Sequence, residues 1–286
     1  MSIPASVVSS IEQKTGERVR SQQPVGGGSI NAAARITCGD QPYFLKWNRA
    51  DLADMFETEA KGLDLLREAS SAFKIPEVAG SGVSDQHSWL LLEWLEPQTT
   101  RDRDFAGFGQ HLAMMHKKTS ESYGLDHNNY IGRLPQSNTF HDSWVDFFIN
   151  ERISPQLKNA VDSGKLSSGL HQNAERLFGR LSELLTNEPA SILHGDLWSG
   201  NFLSTGNKIA LIDPAVYYGN REIELAFTQL FGGFSGSFYN SYFETWPVES
   251  GFEQRASIYN LYPLLVHVNL FGGGYCARVE SVLSRY

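Results

Sequence analysis

Cysteine is nearly missing from this chain. Only Cys38 and Cys276 occur in 286 residues, far apart and in no metal-type spacing, so neither a disulfide framework nor a zinc site is indicated. Both read as reduced, buried, small apolar residues. No apolar run approaches the roughly 20 residues needed to span a bilayer. The opening MSIPASVVSSIEQ also lacks the basic start and long apolar stretch of a secretory leader. A cytoplasmic protein with no membrane partner is expected. Basic charge is scarce too: 24 Lys and Arg against 32 Asp and Glu give a net charge of -8 with no basic run, which argues against nucleic acid as a partner. What is present is 41% hydrophobic and 12% aromatic residues, ample for a packed core in one large or two modest domains.

The stretch 192–215, ILHGDLWSGNFLSTGNKIALIDPA, holds three oxygen-bearing side chains in a fixed order. Residues 191–193 read as a strand entering a polar loop, and 208–212 (KIALI) as a buried strand that delivers Asp213 at its end. Asp196 and Asn201 lie five positions apart, the spacing of the base and the metal-binding Asn in the protein-kinase catalytic loop. Phosphoryl transfer wants such a set, because a base must meet the attacking hydroxyl while hard cations are held on the phosphates. Asp196 is then the base, and Asn201 and Asp213 the Mg²⁺ ligands. Each half alone is an ordinary turn sequence; the joint spacing favours catalysis. The loop is HGD rather than HRD and the later triplet DPA rather than DFG, which points to a small-molecule kinase.

HGDLWSGN, IDPAVYYGNRE, LAFTQLFGGF and NLFGGGY, with GGGSIN near the start and YIGRLPQSNT in the middle, resemble the fructosamine kinase (ketosamine kinase) family over nearly the whole chain. The resemblance implies an α+β, two-lobed protein-kinase-like fold, with a small N-terminal antiparallel β-sheet lobe carrying a helix and a larger, mainly helical C-terminal lobe. It also implies ATP and Mg²⁺ as cofactors. The acceptor would be the 3-hydroxyl of a sugar–amine adduct on a small molecule or a protein, with deglycation as the result. Family members usually carry His where Asn220 stands and Asp where Glu224 stands. Some carry a cysteine in the glycine-rich loop that pairs between chains and silences the enzyme, where this chain has Ser29.

Along the chain, residues 3–14 have helical periodicity, and strand, glycine-rich turn, strand, tight turn, strand follows through Trp47. Gly26, Gly27, Gly28, Ser29 and Asn31 form the candidate phosphate lid, since glycine lets backbone N–H groups come close. No Gly-Lys-Ser/Thr follows, so this is not a Walker loop. Lys46 is the candidate clamp on the nucleotide phosphates, and Glu59, on the next helix, the acid that positions it. The apolar strand 89–95 reads as the crossover between lobes, with the backbone of Glu93 and Leu95 meeting the adenine edge. That puts domain boundaries at 1–95 for nucleotide binding and 96–286 for catalysis and acceptor binding. His111 and His116, on different faces of a helix, read as structural. Residues 144–157 and 170–185 read as two further helices, and 259–270 as the last one. Trp198, Tyr218, Glu222, Glu224 and Tyr275 are the acceptor-binding candidates, although the two glutamates could instead pair with Arg221.

A monomer is expected. Two alternatives stand beside the ketosamine reading: a kinase of another small hydroxylated amine, such as an aminoglycoside or choline, and a nucleotide-binding regulator without turnover.

Overall fold

Alternate residues of three strands make the first core. In the computed structural model, which describes residues 2–26 and 30–286, helix α1 (Ala5–Thr15) lays Val7 and Ile11 against one face of an antiparallel sheet. The sheet contains β1 (Val19–Pro24), β2 (Ala32–Cys38), β3 (Gln41–Arg49), β4 (Val78–Ser84) and β5 (His87–Glu93), in the order β1-β2-β3-β5-β4. Ala34, Ile36, Leu45, Trp47, Trp89 and Leu91 all point to that face. A strand's period of two therefore turns Lys46, paired across the sheet with Ala33 and Leu90, to the opposite face. Helix α2 (Ala53–Ala69) follows β3 and buries Met55, Phe56, Leu63 and Leu66. The expected glycine-loop residues Gly27, Gly28 and Ser29 lie outside the described residues.

The chain divides into two compact units, residues 1–100 with 200–214, and residues 101–199 with 215–286. The late segment in the first unit is a hairpin of 202–204 and 209–211, the KIALI strand among it. It is tied in by backbone bonds: the Lys74 N–H donates to Ile209 O at 2.9 Å, the Leu211 N–H to Lys74 O at 3.0 Å, and the Gln98 N–H to Ser204 O at 2.8 Å.

The second unit is mainly helical. Its helix over Asp102–His116 packs on that over Gly236–Thr245 so closely that a Cβ on Gly109 would stand 2.0 Å from the Phe238 carbonyl oxygen. Only glycine fits there. A small sheet in the order 217–219, 190–193, 119–120 carries the HGD loop at the end of its central strand. The helix expected over 144–157 is interrupted by a π-helical turn at Phe148–Ile153, around the fully buried Arg152. The stretch expected as the last helix is two, Phe252–Tyr259 and Leu261–Phe271, and a further helix, Tyr275–Leu283, comes after it. Among the described residues no helix is long and apolar enough to cross a membrane.

Cys38 is buried, and burial raises its thiol pKa. Cys276 is only partly buried, against the expectation that both would be enclosed. Because the thiolate is the reactive form, a burial-suppressed Cys38 and the hydroxyl of Ser29 leave only the half-buried Cys276, far along the chain from the glycine-rich loop, for an oxidant to meet. Brief peroxide treatment is expected to neither inactivate nor crosslink the protein, while Ser29→Cys creates that sensitivity. Activity and non-reducing gel mobility decide it, and a reductant-reversible dimer of the unsubstituted protein would show the expectation to be wrong.

Candidate active site

Helical and sheet elements of the second unit hold the HGD loop by its backbone. His194 is fully buried, and its carbonyl accepts from the Ala215 N–H at 2.8 Å. Gly195 has φ +82°, and a Cβ there would stand 2.0 Å from Ala215 O, so the glycine of HGD is demanded by both conformation and space. Glu224, on the helix Arg221–Leu230, completes the clasp. Its Oε1 accepts from the Gly195 N–H at 2.7 Å; its Oε2 accepts from the His194 N–H at 3.2 Å and pairs with His116 Nε2 at 2.9 Å. His116 Nδ1 in turn pairs with the Tyr242 hydroxyl at 2.7 Å, which settles that histidine as structural. Burial alone would raise the Glu224 pKa, but His116, the charge of His194 and the Gly195 N–H outweigh it and hold the carboxyl below its usual range.

Asp196 lines a partly open cavity together with Leu193, Glu224, Tyr217, Phe227, Tyr262 and His267. The tyrosine on its wall is Tyr217, not Tyr218, because successive side chains of a strand face opposite ways. Glu222 does not face the cavity either. It is fully buried, with Oε1 and Oε2 taken by Arg255 Nη2 and Nε at 2.6 and 2.7 Å. Arg221, the partner suggested by sequence, pairs instead with Glu188 at 2.8 Å. Asn220 caps its helix: its side-chain oxygen accepts from the Glu222 N–H at 2.9 Å, and its amide donates to Thr186 O at 3.1 Å. Trp198 is 37% exposed and outside the cavity lining; Tyr275 packs on His267, with ring centres 4.9 Å apart.

Removing Glu222 would strand a guanidinium in the interior, a change that typically costs about 3–5 kcal/mol. Denaturant unfolding of Glu222→Ala is expected to show a loss of that size; a loss below about 1 kcal/mol would mean water reaches Arg255 freely.

In the first unit, Lys46 Nζ lies 2.7 Å from Glu59 Oε1 and 2.6 Å from Asp213 Oδ1. The lysine side chain is 6% exposed, that of Glu59 13% and that of Asp213 43%. Burial pulls the lysine pKa down, yet the charges of Asp213 and Glu59 prevail and raise it above its ordinary value, so it stays protonated. Asp213 sits at φ 55°, in the left-handed region that Asp tolerates better than most side chains. The Asn201 carbonyl accepts from the Ile212 N–H at 3.0 Å, which puts Asn201, 5% exposed, beside the strand end that carries Asp213. Asn31 is held by Asn48 Nδ2 at 2.7 Å, and Gly26 has open space where a Cβ would be. The Glu93 N–H is engaged by Glu77 O at 2.8 Å and its carboxylate by Lys74 at 2.7 Å, so a base could meet Glu93 only through its carbonyl. Leu95 lies just past the end of β5.

Asn201 and Asp213 are hard oxygen donors, and Asp213 meets Lys46 through one carboxylate oxygen, Oδ1. Among the described residues no cluster of three or more His, Cys, Asp or Glu side chains is placed for a metal. That donor set suits Mg²⁺, which is commonly held by one or two carboxylates plus substrate phosphates and water rather than by a protein cage.

A five-stranded antiparallel sheet with a Lys–Glu pair, followed by a helical unit carrying an HGD loop, is the architecture of the kinase-like phosphotransferases. A crystal structure of the aminoglycoside phosphotransferase APH(4)-Ia shares this fold, with a TM-score of 0.67 at 19% identity over 98% of both chains. The chain belongs to the fructosamine kinase family, whose model matches residues 4–286. A "probable ketoamine kinase" of Synechocystis is 38% identical over 98% of this chain and 95% of its own. The chloroplastic protein-ribulosamine 3-kinase of Arabidopsis thaliana is 37% identical over 92% of this chain and 81% of its own. A crystal structure assigned as a fructosamine-3-kinase from Haemophilus somnus superposes with a TM-score of 0.90, at 30% identity over 98% and 96% of the two chains.

Proposed function

We propose that the protein uses MgATP to phosphorylate the 3-hydroxyl of a ketosamine, a fructosamine or ribulosamine adduct of an amine or a lysine, as a step in deglycation. The reading rests on Lys46 held between Glu59 and Asp213, a pairing suited to placing an ammonium on nucleotide phosphates. Asp196 takes the proton of the acceptor hydroxyl as its oxygen attacks the γ-phosphorus and the bond to the β-phosphate oxygen breaks. Lys46 steadies the phosphates, Glu59 steadies Lys46, and Gly26 and Asn31 flank the lid expected from the glycine-rich sequence. Asn201 and Asp213 would hold the magnesium, which when bound neutralises charge on the phosphates. The Glu93 carbonyl and the Leu95 backbone meet the adenine edge. Trp198 and Tyr275 are kept as acceptor contacts, and Tyr217 takes the wall position expected of Tyr218. Glu222 is assigned to stability, and Glu224 to positioning the loop that carries Asp196. ADP release is measured against fructosamines, ribulosamines, aminoglycosides and choline. Release with the first two supports the reading; release only with the last two moves the acceptor class, and ATP binding without any release points to a regulator.

A further inference from the structure

His267 lies on the cavity wall that also carries Asp196, and nothing above gives it a task. Its Nδ1 is 2.7 Å from the carbonyl oxygen of Pro263. A carbonyl only accepts, so Nδ1 carries the proton, and in the neutral ring Nε2 is a bare acceptor. The ring is kept neutral chiefly by burial, which lowers its pKa against the pull of the Pro263 bond, with Arg278 nearby adding to the lowering. Among the described residues Nε2 has no hydrogen-bond partner and is not one of the buried atoms left without one, so it opens to accessible space. Phe231 and Tyr275 pack on the ring at centroid distances of 4.8 and 4.9 Å and fix its orientation.

The rest of the lining sharpens the chemistry. Asp196 and Glu224 contribute carboxylates, Tyr217, Phe227 and Tyr262 contribute aromatic surface, and no lysine or arginine lines the cavity. The Tyr262 hydroxyl is already donated to Gln136 Oε1 at 2.5 Å. Such a wall suits a ligand that brings both positive charge and N–H donors, since aromatic faces and carboxylates attract cations. In a ketosamine the amine nitrogen is three bonds from C-3, so the group that reads it must share a cavity with the base that meets the 3-hydroxyl.

Resting on the ketosamine reading, we propose that His267 is a specificity-determining residue whose Nε2 accepts a hydrogen bond from the protonated amine nitrogen of the acceptor, so that the protein distinguishes a sugar–amine adduct from a sugar without nitrogen. The test compares an N-alkyl 1-amino-1-deoxyfructose with its 1-O-alkyl fructose isostere at saturating nucleotide, in wild type, His267→Phe and His267→Gln. The wild type is expected to favour the amine compound at least tenfold in kcat/KM. His267→Phe loses that preference through KM for the amine, with the nucleotide KM unchanged. His267→Gln, which keeps an acceptor oxygen beside a donor amide, falls between them. The full wild-type preference retained by either variant, or an equal loss on both compounds, overturns the assignment, the second outcome meaning that Nε2 reads a hydroxyl. Thermal unfolding checks that each variant folds, and the glutamine variant decides alone if phenylalanine is not tolerated. A wild type that turns over neither compound overturns the ketosamine reading itself.

Discussion

Asp196→Asn is expected to lower turnover by about 10²- to 10⁴-fold, the usual loss on removing a general base, while nucleotide affinity stays nearly unchanged. The side chain lines a cavity with Tyr217, Tyr262 and His267, while Lys46 is held by Glu59 and Asp213, so the substitution leaves the lysine's own partners in place. Asparagine keeps the shape and removes only the proton acceptor. The loop should stay in place, because its hold on Glu224 runs through the backbone of His194 and Gly195. Steady-state rates at saturating substrates, with nucleotide binding measured separately, decide the matter. A variant retaining more than a third of wild-type turnover would take the base role away from Asp196.

Asp213→Ala should be as damaging by a different route. It removes the exposed carboxylate that would hold magnesium and also one of the two anions beside Lys46, leaving that ammonium to Glu59 alone. Activity is expected to fall more than about 100-fold, beyond what losing a mere outer-shell partner of a metal usually costs. More ATP should not restore it, since the defect lies in how the phosphates are held. A titration with Mg²⁺ tests this: an activation curve like that of the wild type would place the ion elsewhere.

The grouping of Lys46 with Glu59 and Asp213 was legible because its signals are local or ordered along the chain. Lys46 follows from strand periodicity, Glu59 from helical spacing, and Asn201 and Asp213 from their distance to Asp196. The acceptor side was less so. Glu224 grips the HGD loop across some thirty residues through backbone N–H groups, and such contacts leave no spacing pattern to read. Glu222 looked available beside Arg221, but the fold brings it Arg255 from 33 residues on. Tyr217 and Tyr218 cannot be told apart until the pairing of Tyr217 with Leu193 sets which face each takes. His267 hides in an apolar helix where a lone polar residue resembles ordinary core. Nothing in the spacing shows that its Nδ1 is tied to the Pro263 carbonyl one helical turn back, because only the folded helix brings the two together.

The hairpin 202–211 has a bearing on how the protein is made. A nascent chain that has emerged as far as Thr100 has all five strands of its sheet but not the residues that pair with Lys74 and Gln98. Those partners leave the ribosome only after a further hundred residues, which belong to the other unit. The N-terminal unit is therefore completed late in synthesis, with Lys46 lacking its Asp213 counter-charge until then. Cutting the gene after codon 100 would yield a fragment with an open edge rather than an independent nucleotide-binding domain, since long-range pairings of this kind form slowly and expose sticky surface while they wait.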